Sequence, residues 1–194
     1  MSFVPSLLLT ICFLGYEVMS GNYYLAMDAG TESLRVGIFD EKGKVIASEA
    51  TPYQTSYPSP GFFEQDPADW WDNFSISCKK ALAKAKEQNE DFKVENIKAL
   101  CCDTTACSVL ILDENMSPIR PCLLWADSRS HGQTEEILAK ASGDPALAVN
   151  CNGKGPLSAE WMLPKSLWLK QNEGDIWEKS TFVCEKQDLS LIHI

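Results

Sequence analysis

The residues best suited to chemistry stand in one short segment, Met27–Arg35, which reads MDAGTESLR. Asp28 ends an apolar run and offers a hard oxygen ligand, suited to a Mg²⁺ ion that rides on nucleotide phosphates, usually through water. Gly30 leaves room for a tight turn and for a ligand, so that neighbouring backbone N–H groups can face an anion. The segment therefore predicts a turn that holds phosphate and metal, or else an ordinary hairpin with a polar turn.

Three further side chains add hydrogen-bond donors to the same turn. The hydroxyl groups of Thr31 and Ser33 can donate to an anion, and the guanidinium of Arg35 has a fork of donors that suits phosphate oxygens. The segment matches neither the Walker P-loop nor the GxGxxG fingerprint of dinucleotide sites. The predicted phosphate residues are Asp28, Gly30, Thr31, Ser33 and Arg35, with Asp28 as the metal ligand.

Strand-like runs on both sides must position this turn. Tyr23–Asp28 precedes it, and Leu34–Asp40 follows it with apolar residues alternating on one face. With a third strand at Val45–Tyr53, the pattern predicts an antiparallel meander. Further along the chain, Ile97–Asp103 and Ser108–Asp113 are predicted as two strands around a turn.

Helical signals alternate with these strands. Asp66 has the residue type of a helix cap, with proline after it and apolar residues at helical spacing beyond. A second helix is predicted to start at Asp127 or Ser128, and a last helix to run from about Pro164 to Asn172. This order of elements indicates one α/β domain, or the first part of one.

Composition and charge narrow the class of protein. The 194 residues are 45% hydrophobic and 23% charged, which is typical of a soluble globular protein with one sizeable core. A net charge of −10 argues against a nucleic-acid or anionic-membrane binder, although a few local donors can still hold a phosphate. The sequence has eight cysteines without a CxxC pair and only two histidines, which favours reduced thiols over disulfides or a metal cluster.

The start of the chain allows two interpretations. Residues 1–18 are mostly apolar and have the length of a signal-peptide core, but no Lys or Arg precedes that core. We interpret residues 1–18 as a leader or a non-native extension of a cytoplasmic protein. The alternative is a secreted protein whose signal peptide occupies residues 1–20.

Four segments in order along the chain resemble the FGGY family of carbohydrate kinases, specifically the N-terminal domain of its ribulokinase-like members. MDAGTESLRVGIFD resembles the phosphate-binding hairpin of the family, and GFFEQDPADWW resembles the start of its first helix. CCDTTACSVLILDE resembles a second hairpin, and LSAEWMLPKSLWL resembles the helix at the sugar site. The resemblance covers residues 23–188, and residues 19–188 are the predicted domain.

The resemblance implies an α/β fold of the actin-like, ribonuclease-H-like kind, as the first and incomplete domain of a two-domain kinase. It implies that the full-length protein uses Mg-ATP to phosphorylate a hydroxyl of a sugar or polyol, and the expected substrate is a pentulose such as ribulose. A xylulose or glycerol kinase of the same family, or a non-catalytic binding form, is the alternative. The implied partners are sugar and ATP without nucleic acid or membrane, and the full-length protein could form a homo-oligomer.

The same resemblance places three residues at the sugar. Thr105 and Ala106 lie in the turn that borders the sugar in ribulokinase-like relatives, and Lys165 matches a lysine that contacts it. Pro164 suits the first position of a helix, where a cation in the first turn opposes the helix dipole by about 0.3–1 kcal/mol. That cost favours a polar or anionic partner for Lys165 over a solvated surface position.

The resemblance stops before the last residues. Relatives continue past Cys184–Asp188 with an aromatic residue and another helix, whereas residues 189–194 read LSLIHI. We hypothesise that residues 189–194 are foreign to the family sequence. The general-base aspartate and the domain that holds adenine are then expected beyond residue 194, so the chain itself would hold no catalytic residue and would be inactive alone.

Overall fold

The structure, a computed structural model, describes residues 21–146 and 157–193, and within them two four-stranded sheets carry the fold. The first sheet contains β1 (Tyr23–Ala29), β2 (Ser33–Asp40), β3 (Val45–Pro52) and β5 (Ile97–Thr104), in the order β3-β2-β1-β5. The second sheet contains β4 (Glu64–Gln65), β6 (Val109–Leu112), β7 (Cys122–Leu123) and β8 (Phe182–Glu185), in the order β4-β7-β6-β8.

The helices lie between and after these strands. They are α1 (Pro67–Gln88), α2 (His131–Lys140), α3 (Met162–Asn172), α4 (Gly174–Trp177) and α5 (Lys186–His193), with a short 3₁₀ helix at Val94–Asn96. Helix α1 starts as predicted, because the Asp66 side chain accepts the N–H of Ala68 while Pro67 takes the first helical position. It packs against β2 and β3.

The predicted meander is present. Strand β2 pairs antiparallel with both β1 and β3, and the register places Asp28 opposite Arg35. Leu34, Val36 and Ile38 alternate along β2 and are almost completely buried, as the sequence pattern indicated. Strand β1 also pairs in parallel with β5, so the turn that joins β1 and β2 projects from the middle of the sheet.

The expectation of a second hairpin is wrong, because β5 and β6 lie in different sheets. Strand β5 pairs in parallel with β1, whereas β6 pairs with β7 and β8. The turn at Thr105–Cys107 therefore carries the chain from one sheet to the other. Cys107 adopts a left-handed conformation with a φ of 60° in this crossing.

The predicted start of α2 is also wrong. The helix begins at His131, because the buried Asp127 side chain accepts the N–H groups of Phe63 and Arg129 instead of capping a helix. The helix ends at Lys140, just before Gly143, whose φ of 83° closes the turn. Helix α3 begins at Met162, two residues before the predicted position.

The main core lies between the first sheet and α1. Trp70, Ala81 and Ala85 of the helix pack there with residues of β1 and β2, and Leu189 of α5 reaches the same core. Residues 1–18 lie outside the described residues, and the foreign origin of residues 189–194 stays a prediction. Within the described residues, none of the helices has the length and apolar character that a membrane span needs.

Candidate functional site

A cleft of about 380 Å³ lies where the β1–β2 turn meets the crossing between β5 and β6. Its walls come from the turns and connecting segments that follow β1, β5 and β7, and from the segment before α3. The lining residues are Thr31, Thr105, Ala106, Cys107, Trp125, Glu160 and Trp161. One predicted phosphate residue and two predicted sugar residues therefore face a common space.

Asp28 and Arg35 stand opposite each other in the hairpin beside this cleft, and their side chains form an ion pair. Both side chains are about half exposed, and such an exposed pair contributes little to stability. Because water already reaches both groups, each can exchange its partner for a ligand at small cost. The pair thus leaves a carboxylate and a guanidinium available at the turn.

Neither the backbone conformation nor the packing of the protein requires glycine at position 30. Its φ is outside the left-handed region, which among described glycines is found at Gly43, Gly61 and Gly143. A Cβ atom at Gly30 would lie 3.4 Å from the carbonyl oxygen of Ser33 and 3.5 Å from the Arg35 guanidinium. These are ordinary van der Waals distances, so the room that Gly30 would leave for a ligand stays a prediction.

Thr31 links the turn to the opposite wall of the cleft. Its hydroxyl oxygen accepts a hydrogen bond of 2.9 Å from the indole N–H of Trp125, although the two residues are distant in sequence. Its carbonyl accepts 2.7 Å from the side-chain amide of Gln65. Ser33 begins β2 opposite Pro52 of β3. The turn is thus held on two sides by residues outside its own hairpin.

The crossing turn forms the other wall. Thr105 shares a hydrogen bond of 3.0 Å with the buried hydroxyl of Ser108, while Ala106 is exposed to the cleft. The N–H of Cys107 donates to the Glu185 carboxylate at 3.1 Å. Burial, with the nearby Glu185 charge, raises the pKa of the Cys107 thiol, so it is poorly suited to act as a thiolate nucleophile.

Lys165 is completely buried behind this wall, which contradicts the alternative of a solvated surface lysine. Its ammonium donates to the carbonyl oxygens of Cys107 at 2.9 Å, Leu124 at 2.6 Å and Trp125 at 3.3 Å. Three carbonyls match the three hydrogens of an ammonium group. Burial lowers the pKa of Lys165 to about 8, while the Asp127 charge acts in the opposite direction. Lys165 thus fixes two residues that line the cleft.

The described residues fit a magnesium ion that arrives with nucleotide phosphates. They contain no cluster of three or more His, Cys, Asp or Glu side chains that could hold a metal by itself. Magnesium on a nucleotide needs only one or two carboxylates, because phosphate oxygens and water fill its other positions. The half-exposed carboxylate of Asp28 meets that requirement.

A network of buried charged side chains, formed by Arg129, Asp127 and Glu64, lies close in sequence to the cleft residue Trp125. The Arg129 guanidinium bonds the Asp127 carboxylate at 2.7 Å and lies 2.8 Å from Glu64. Its carbon lies 3.8 Å above the Phe62 ring and 4.9 Å from the Trp168 ring. The side chains of Asp127 and Arg129 are both almost fully buried, and neither lines the cleft.

Sequence reasoning missed part of the cleft wall. Trp125, Glu160 and Trp161 line the cleft without having been singled out for it. A signal existed for Trp125, since an aromatic residue directly follows the apolar run that becomes β7. Glu160 and Trp161 directly precede α3, the helix whose sequence pointed to the sugar site.

The two sheets bring the predicted phosphate turn and the predicted sugar turn to one cleft, as the resemblance to a sugar-kinase domain implies. The chain matches the model of the FGGY family of carbohydrate kinases, N-terminal domain, over residues 23–191. It therefore belongs to that family, as its motifs indicated.

Individual relatives agree with this assignment. The chain is 30% identical to the xylulose kinase of Lactococcus lactis over 87% of its own length and 32% of that protein. It is 28% identical to the human FGGY carbohydrate kinase domain-containing protein, over 86% of this chain and 30% of the human one. The chain thus spans about a third of the length of the curated relatives it matches.

Solved structures confirm the actin-like kinase fold. A crystal structure of a xyloylose kinase from Brucella ovis superposes with a TM-score of 0.78 at 25% identity, over 89% of this chain and 34% of that one. The xylulose kinase from Rhodospirillum rubrum gives a TM-score of 0.79 at 23% identity, over 88% of this chain and 33% of that one.

Proposed function

We propose that this chain supplies the N-terminal domain of a two-domain kinase that transfers phosphate from Mg-ATP to a hydroxyl group of a pentulose. The observation that carries the proposal is the shared cleft, in which Thr31 of the hairpin turn faces Thr105 and Ala106 across one space. The hydroxyl that accepts a phosphoryl group must lie in line with the phosphate that donates it. In this cleft, the predicted phosphate turn and the predicted sugar turn lie on opposite sides of one space.

The residues divide into two groups in this proposal. Asp28 and Arg35, with the N–H groups of the turn, face the phosphates, where a magnesium ion held by Asp28 would neutralise phosphate charge. On the other side, Glu160 accepts hydrogen bonds from sugar hydroxyls while the Trp125 and Trp161 rings cover the apolar face of the sugar. A cytoplasmic location belongs to the same proposal.

The substrate we propose first is ribulose, because the sequence of Thr104–Cys107 and of the segment around Lys165 resembles that of ribulokinase-like members of the family. Xylulose is the second candidate, since several matched relatives are xylulose kinases. These two pentuloses differ in the configuration at one hydroxyl-bearing carbon. A single hydrogen-bonding side chain in the cleft can distinguish them, because an unpaired buried polar group is costly.

The test is an assay of the longer gene product that contains this chain. ADP release should be measured with ribulose, xylulose and glycerol, with the 194-residue chain alone in parallel. We expect turnover of the longer protein, a higher kcat/KM for ribulose than for the others, and no turnover by the chain alone. A higher kcat/KM for xylulose would assign the second substrate, and no ADP release with any acceptor would refute the kinase proposal.

Lys165→Met should raise the KM for the sugar by about tenfold while changing kcat less, because a displaced cleft wall would bind the sugar less tightly in the ground state and the transition state alike. The substitution removes the donor that holds the carbonyls of Cys107 and Trp125 in the cleft wall. The assay is a full kinetic analysis of the longer protein.

Lys170→Met is the matched control, since Lys170 lies exposed in the last turn of the same helix. It should leave both constants unchanged. An unaltered sugar KM in Lys165→Met would show that the carbonyls of the wall do not depend on Lys165 and would remove it from the substrate site.

A further inference from the structure

The β1–β2 turn is held by its carbonyl groups. Three consecutive residues, Gly30, Thr31 and Glu32, each have a carbonyl oxygen that accepts a hydrogen bond from outside the turn. In that order, the donors are the Lys186 ammonium at 3.1 Å, the Gln65 side-chain amide at 2.7 Å and the Tyr53 N–H at 2.8 Å. They come from α5, from β4 and from the residue after β3, so distant parts of the chain set the shape of the turn.

A fixed carbonyl also fixes an N–H group. The peptide unit is planar, and in the trans form its N–H points away from its C=O. No peptide bond within the described residues is cis. When Lys186 holds the carbonyl of Gly30, it therefore directs the N–H of Thr31 to the opposite side of the turn. Thr31 is the residue of this turn that lines the cleft.

Lys186 belongs to a small buried cluster, which we call the turn anchor and which consists of Lys186, Gln65 and Trp70. The Lys186 ammonium lies 4.3 Å from the ring centre of Trp70. The indole N–H of Trp70 donates to the side-chain oxygen of Gln65 at 3.0 Å. Gln65 and Lys186 are almost completely buried. The anchor thus joins two of the three carbonyl donors through one tryptophan.

Burying the charged ammonium group of Lys186 costs free energy of desolvation. Burial lowers the pKa of Lys186 to about 8, against the opposing influence of Cys122 and Asp28. An apolar side chain of similar volume is often equally or more stabilising at a buried charged position. The distinctive feature of Lys186 is its hydrogen bond to the backbone of Gly30, 156 residues away in the chain.

We propose that Lys186, supported by Trp70 and Gln65, is a positioning residue for phosphoryl transfer: it holds the Gly30 carbonyl so that the Thr31 N–H remains directed at the phosphate. This inference rests on the proposed kinase function. It assigns a role to the CEKQD and GFFEQDPADWW segments, which the phosphate and sugar residues did not use. Lys186 touches neither the phosphate nor the sugar in this scheme.

The test is Lys186→Met in the longer protein, with kinetics measured well below the melting temperature of each variant. We expect kcat to fall about 10- to 100-fold, because misplacement of a reacting group by about 1 Å has an effect of that size. The sugar KM should stay unchanged. Lys84→Met is the control, since Lys84 also donates to a carbonyl, that of Ser48 at 3.2 Å, but is partly exposed and lies outside the cleft lining. It should keep the wild-type kcat.

A purely structural role gives a different result. Lys186→Met would then melt at a lower temperature but keep the wild-type kcat once folded, and this outcome would overturn the proposal. If Lys186→Met does not fold, Gln65→Leu tests the same anchor through the Thr31 carbonyl. The same loss of kcat would support the proposal, and a wild-type kcat would overturn it.

A second measurement separates this inference from the kinase proposal. In the wild-type 194-residue chain, NMR should detect a scalar coupling across the hydrogen bond between the Lys186 ammonium nitrogen and the Gly30 carbonyl carbon. If the longer protein phosphorylates no acceptor while this coupling is present, the kinase function fails and the anchor remains as a conformational device. Absence of the coupling in a chain whose other Lys186 signals are observed would overturn the anchor itself.

Discussion

Arg129→Met is expected to lower the free energy of unfolding by about 3–5 kcal/mol, which is the usual result of removing one partner from a buried ion pair. The Asp127 carboxylate is fully buried and accepts two or more hydrogen bonds from this guanidinium. Without Arg129, that charge keeps only backbone N–H donors, and Glu64 loses one of its two arginine partners. A domain with ordinary stability would lose a large share of it.

The measurement is urea-induced unfolding of the chain, followed by tryptophan fluorescence. Lys84→Met serves as the control, because its pair with Glu49 is exposed to solvent and should contribute little to stability. Arg129→Lys keeps the charge but lacks the planar fork that lies over the Phe62 ring, so an intermediate loss is expected. A loss for Arg129→Met as small as the control's would mean that Asp127 is stabilised without Arg129.

Local patterns predicted the hairpin and the first helix, and the reason is physical. The alternation of Leu34, Val36 and Ile38 depends only on the two-residue period of a strand with one buried face. The cap at Asp66 depends on atoms within two residues of it. Such features are decided by neighbours in sequence, and the structure agrees with the sequence there.

Distant contacts decided the features that the sequence could not predict. Asp127 resembled a helix cap, but the N–H of Phe63, 64 residues away, takes its carboxylate. The sequence of β5 resembled one strand of a hairpin with β6, but β5 pairs with β1 at the edge of the first sheet. Lys165 was expected near the sugar, and the carbonyl of Cys107, 58 residues away, holds it behind the wall. Residue type shows what a side chain can bind, while topology determines which partner reaches it.

In the candidate site, too, local sequence motifs predicted some residues, while contacts between distant residues determined others. The family motifs led to Thr31, Thr105 and Ala106, which share the cleft. The motifs gave no reason to connect Trp125 with Thr31, because the hydrogen bond between them spans both sheets. Two predictions about the site still depend on kinetic measurements. One is that phosphate and metal are bound by Asp28, Gly30, Ser33 and Arg35. The other is that Lys165 affects binding of the sugar.

Asp28→Asn is expected to lower kcat of the longer protein by at least about 10²–10³-fold, the size of effect seen when one electrostatic contact to a developing charge is lost. Asparagine keeps the shape of the side chain but removes the negative charge that would hold magnesium on the phosphates. The KM for the sugar should change little, because Asp28 lies outside the residues that line the cleft. Sugar binding and phosphoryl transfer should therefore separate in this variant.

The expected loss of kcat in Asp28→Asn can be attributed to chemistry if the variant is as stable as the wild type. The Asp28–Arg35 pair is about half exposed, so its loss should change the free energy of unfolding by less than about 1 kcal/mol. Asp40→Asn, at the far end of the same hairpin, is the control, since the Asp40 carboxylate only accepts N–H groups of its own turn. Rates should be measured over a range of magnesium concentrations. A normal kcat in Asp28→Asn at every concentration would exclude Asp28 as the metal ligand, whereas a loss of kcat without a loss of stability would assign it to the chemistry.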